Sequence, residues 1–90
     1  MPFGIRSQGP PTEPALLCIE ILSPSDRFSD CVTKCGRFLQ WGVPVCWIID
    51  PEKRTAWEVD ANGVHLKDGD GTLNAGQVSV SLPDLFATLD

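Results

Sequence analysis

The pattern of apolar and polar positions divides the chain into one unpatterned stretch and a series of short elements. Residues 1–14 hold four prolines and two glycines, so backbone donors are missing and no periodicity develops; this reads as an extended leader. From Ala15 to Leu22 the run is almost wholly apolar and is closed by Ser23-Pro24, the pattern of a strand buried on both faces. Phe28, Cys31, Val32, Cys35, Phe38 and Leu39 then recur at helical spacing until Gly42. The spacing predicts a helix over 26–41, with Asp26 or Ser25 as its cap. A second apolar run over 44–50, ended by Asp50-Pro51, predicts another strand, and strand-helix-strand implies a parallel pair with a right-handed crossover.

Beyond residue 51 the segments shorten. Thr55–Val59 and Val64–Leu66 flank Asp60-Ala-Asn-Gly63, a turn signal, and read as an antiparallel hairpin. Asp68-Gly-Asp-Gly71 is a further turn, Val78–Val80 a short strand, and Ser81 a cap for a C-terminal helix through Pro83-Asp84-Leu85-Phe86. The fold class is α/β, with a mixed sheet.

Composition narrows the function classes. At 90 residues the chain makes one domain at most. Its 42% apolar content describes a globular chain, and no apolar run approaches the roughly 20 residues of a membrane span. The start lacks the apolar core of a secretory signal, so a cytoplasmic setting with reduced thiols is expected for Cys18, Cys31, Cys35 and Cys46. A formal charge of −5 opposes strong nonspecific binding to a polyanion, although bound cations near a site can offset it.

Glu20 is the anomaly, because an ionised carboxylate in a strand covered on both faces costs several kcal/mol unless it is paired or binds a metal. Metal ligation and a buried salt bridge to Lys34 or Arg37 both explain it. Lys34 lies on the flank of the predicted helix, where its stem can follow the sheet and its ammonium reach the strand end. A surface pair with Asp30 one turn away is the plainer reading. The cysteines on the two strands and the helix sketch a thiolate metal or redox site, but positions on an apolar helix face suit small core residues better. His65 reads as exposed and uninvolved. Trp41, Trp47 and Trp57 read as packing residues before base-stacking ones.

Several motifs in order resemble one bacterial family. Pro14-Ala-Leu-Leu-Cys-Ile-Glu-Ile-Leu-Ser-Pro-Ser25, then Asp30, Lys34, Phe38 and Gly42-Val43, then Val45-Cys-Trp-Ile-Ile-Asp-Pro51, and finally Gly71-Thr-Leu and Ser81-Leu-Pro-Asp-Leu-Phe86 are similar to the Uma-two family of restriction endonucleases, within the PD-(D/E)xK nuclease superfamily. The resemblance covers residues 14–90 and implies a restriction-endonuclease-like domain over 15–90. It also implies a magnesium-dependent phosphodiesterase acting on DNA, with Glu20 as catalytic residue and metal ligand and Lys34 as the second catalytic residue.

The sequence departs from the family in two places and from the wider superfamily in a third. The family's first aspartate sits on an upstream strand, and residues 1–14 contain neither an Asp nor enough apolar sequence for such a strand, so the N-terminal part of the fold is expected to be missing. The superfamily's usual lysine position, two after the acid, holds Leu22, and Ala15 stands where the family commonly has Asp. The expectation is a metal-dependent endonuclease by descent, with magnesium bound weakly or not at all by this chain. The alternatives are a non-catalytic remnant or interaction module pairing through a strand edge, with homo-oligomerisation open, and a cysteine-based metal or redox protein.

Overall fold

The computed structural model describes residues 2–5 and 16–89. Along the chain run β1 (Pro2–Ile5), β2 (Leu17–Ile21), α1 (Phe28–Trp41), β3 (Cys46–Asp50), β4 (Thr55–Asp60), β5 (Gly63–Lys67), β6 (Thr72–Ala75), β7 (Val78–Ser81) and α2 (Leu82–Leu89). β1 to β5 form one sheet in sequence order, and β6 pairs with β7 in a second. β2 and β3 are parallel, as two apolar runs joined by one helix require, while the other neighbours in the large sheet are antiparallel.

Strand parity sorts the side chains into two cores. Cys18, Cys46, Ile48 and Val59 face α1 and pack with its Cys31 and Cys35. Leu17, Trp47, Ile49 and Ala56 face the opposite way, against Leu73 of β6 and Leu82 and Phe86 of α2. β2 and β3 are therefore covered on both sides, which is why their sequences run apolar without alternation. The Trp47 indole donates to the Asn74 carbonyl at 3.3 Å, tying the second sheet to the first.

Three local expectations need correction. Pro2–Ile5, read as part of a leader, is a strand that pairs antiparallel with β2; residues 6–14 of that leader lie outside the described residues. Isolated periodicity cannot reveal such a strand, because its partner's open edge holds it in place. The helix starts at Phe28 with Arg27 as the cap residue and no side-chain capping bond. Asp26 instead turns back to accept from the Ser23 backbone N–H and hydroxyl, both at 2.9 Å, and these bonds hold its carboxyl below the usual aspartate value. Finally, Thr72–Ala75 forms a strand where only a turn and an unassigned segment were read. The helix end follows expectation: Gly42 adopts the left-handed conformation (φ 112°) and its N–H reaches the Leu39 carbonyl.

Candidate active site

Glu20 lies in β2 opposite Ile48 of β3, on the α1 side of the sheet, and is only 1% exposed. Its position follows from parity: Cys18 two residues earlier faces the same thiol-rich core. Lys34 approaches from the overlying helix, and its Nζ lies 3.6 Å from Glu20 Oε1, an ion pair longer than a hydrogen bond. The lysine side chain is 52% exposed and that of Glu20 2%, so the ammonium sits at the boundary between solvent and the buried carboxylate. The structure thus brings together the two residues singled out in the sequence. This arrangement also satisfies the plain description of a buried acid neutralised by a helix lysine, so proximity alone assigns no chemistry.

The cross-strand partner of Glu20 on its other side is Pro2 of β1. None of Pro2-Phe-Gly-Ile5 is acidic. Among the described residues no group of three or more His, Cys, Asp or Glu side chains is arranged to hold a metal ion. Magnesium prefers six oxygens in an octahedron, keeps several waters, and relies on one or two carboxylates together with substrate phosphates. One carboxylate, shielded from water and already faced by an ammonium, does not meet that demand, so the described residues do not complete a magnesium site.

Just beyond Glu20, at the C-terminal ends of the parallel strands, a cleft of about 540 Å³ opens beside Leu22. Asp26 just before α1, Phe28 at its start, Asp50 at the end of β3, Lys53 of the β3–β4 turn, and Trp57 of β4 contribute to its walls. The Phe28 and Trp57 rings meet at 4.6 Å between centroids, tilted by 52°. Asp50 is partly spoken for, because its Oδ1 accepts from the Glu52 and Lys53 N–H groups that shape the turn. The cleft was not visible in the sequence, since its walls come from segments far apart in the chain.

The remaining candidates separate clearly. All four cysteines are buried thiols that form no disulfide. Cys18 and Cys46 are register partners across the parallel pair, and both lie in the core that contains Cys31 and Cys35. The Cys46 thiol donates a hydrogen bond to Cys35 and is buried, and both effects raise its pKa; burial likewise raises that of Cys31. Cys35, on the accepting side of that thiol contact, is lowered. Such thiols are inert until the core opens. With a small thiol reagent we expect four reactive groups in denaturant and a rate about 100-fold or more slower in the folded chain. A native-state rate equal to the denatured one would contradict the packing. His65 is exposed and lies 3.2 Å from Asp60, on β5, three strands away from β2 in the sheet order.

A mixed sheet with a parallel βαβ core, one helix on one face and a small sheet and helix on the other, is the architecture of a nuclease fold. The solved structure of a putative nuclease of the DUF820 group from Anabaena variabilis superposes on this chain with a TM-score of 0.74 at 26% identity, covering 84% of this chain and 46% of that one. This chain therefore spans about half the length of that neighbour. The sequence profile of the Uma2 family, described as putative restriction endonucleases, matches residues 3–89, and the chain belongs to that family. The match begins earlier than the motifs alone indicated and takes in Phe3 to Ile5 of β1. No protein of curated function matches.

Proposed function

We propose that this chain carries the glutamate and lysine part of a magnesium-dependent phosphodiesterase site that acts on DNA, and that its described residues do not cleave DNA by themselves. The observation that carries the reading is the ion pair between Glu20, buried in the strand beside the parallel crossover, and Lys34 on the helix above it. In this account Glu20 is a metal ligand and Lys34 places positive charge near the attacked phosphate, where negative charge grows in the transition state. A bound magnesium would polarise the phosphate and lower the pKa of its water. Membership of a restriction-endonuclease family supports the substrate class.

The register specifies how to test this. Directly opposed residues of an antiparallel pair place their Cβ atoms about 4.5–5.5 Å apart on one face, close enough for two carboxylates to share one small cation. Pro2 is opposed to Glu20, so Pro2→Asp supplies the second acid. With Mn²⁺ as a paramagnetic probe, Pro2→Asp should show amide resonances of β2 broadened at metal concentrations that leave the native chain unaffected. The effect should disappear in Pro2→Asp/Glu20→Gln. Broadening that persists without Glu20, or that is centred elsewhere, would remove Glu20 as the ligand.

A further inference from the structure

We infer that the open edge of β5 is a self-pairing surface through which two copies of this chain join their sheets about a two-fold axis at His65. The inference stands apart from the nuclease reading and rests on the edge strand alone. β5 pairs only with β4 among the described residues, and it has neither the proline nor the bulge that usually protects a sheet edge. The opposite edge, β1, begins with Pro2 and contains Gly4, both poor partners for a further strand.

The β4–β5 ladder closes at Asp60↔Gly63 across a two-residue turn, so that pair exchanges hydrogen bonds, as do Glu58↔His65 and Ala56↔Lys67 by alternation. The backbone N–H and C=O groups of Val64 and Leu66 then point outward. Antiparallel pairing centred on His65 sets Val64 of one copy against Leu66 of the other, twice, and gives each outward group a partner. The side chains match as well. Val64 is 44% exposed and Leu66 56%, and both lie on the α1 side of the sheet, where Leu66 pairs in register with Trp57. The symmetric pairing places these two apolar residues against each other.

The opposite face of the same strand supplies charge complementarity. In this register Lys67 faces Gly63 of the second copy, and the next residue along that row is its Asp60. Gly63 has no side chain, and space above it is open: an added Cβ would meet nothing within 4 Å. Strands lie about 4.8 Å apart, so the Lys67 stem can cross the glycine and bring its ammonium to the Asp60 carboxylate. Symmetry makes two such pairs, exchanging the intramolecular contact of Lys67 with Glu58 (3.5 Å) for an intermolecular one.

The patch is short, so the association is expected to be weak and concentration-dependent. The test uses the full chain under reducing conditions. Sedimentation equilibrium should show the mass rising with concentration from 9.8 kDa toward twice that value. Lys67→Glu should weaken association roughly tenfold through two surface pairs, and Leu66→Lys should weaken it further. Amide exchange read by NMR should show Val64 and Leu66 becoming protected as the dimer forms, while Gly63, His65 and Lys67 are protected in both states. A monomer at every concentration accessible to NMR would overturn the inference. So would a dimer unaffected by Leu66→Lys, or one in which the Val64 and Leu66 amides exchange as fast as in the monomer.

Discussion

Incubated with supercoiled plasmid and either Mg²⁺ or Mn²⁺, the native chain is expected to leave the DNA intact. Phosphodiester hydrolysis needs a cation held firmly enough to polarise the phosphate and to supply hydroxide near neutral pH. Glu20 offers one carboxylate, and at 1% exposure neither a hydrated ion nor a phosphate reaches it without displacing Lys34 or opening the core. The strand beside it carries no acid. Asp26 and Asp50, two of the acids that line the cleft, are engaged in turn hydrogen bonds. Glu13, the one acid that precedes Glu20 in the chain, lies outside the described residues. Nicking above background that is lost in both Glu20→Ala and Lys34→Ala would show that another residue completes the site.

A second expectation separates inheritance of a site from ordinary packing. If Glu20 is retained for chemistry, the core pays to keep it: an apolar residue of similar volume avoids the desolvation of a buried charge. Glu20→Leu is therefore expected to stabilise the fold by about 1–3 kcal/mol, within the range found when buried ion pairs are replaced by apolar groups. Lys34→Ala should do the opposite and cost about 1–2 kcal/mol, because it strips the buried carboxylate of its ammonium; the exposure of Lys34 keeps this below the cost of breaking a fully buried pair. Urea denaturation of the three proteins measures both. Destabilisation by Glu20→Leu comparable to that of Lys34→Ala would mean that the pair is there to hold the fold.

What the sequence disclosed and what it hid have distinct physical causes. β2, α1 and β3 were legible because each buries a face through a pattern that its own residues carry: two unbroken apolar runs and one stripe at helical spacing. Glu20 stood out for the same reason, as a charge where the pattern allows none. β1 was hidden, since four residues with a proline and a glycine have no preference strong enough to announce a strand and depend on pairing with β2. β6 was hidden because it alternates only once, with Leu73 inward between Thr72 and Asn74. Asp26 looked like a helix cap, and the local alternative won: its carboxylate bonds Ser23 behind it. Lys34 was placed on the correct flank of the helix, but only the three-dimensional crossing of α1 over β2 shows that its ammonium meets Glu20.

If Glu20 and Lys34 are half of a nuclease site, what the described residues lack is an acid at the β1 position opposite Glu20, which is Pro2. The most direct measurement is plasmid nicking by Pro2→Asp with Mg²⁺ and Mn²⁺, alongside the native chain, Pro2→Asp/Glu20→Gln and Pro2→Asp/Lys34→Ala. Metal-dependent nicking is expected from Pro2→Asp alone. Equal nicking by Pro2→Asp and its Glu20→Gln and Lys34→Ala derivatives, or none from a Pro2→Asp protein that binds Mn²⁺ beside Glu20, would contradict it.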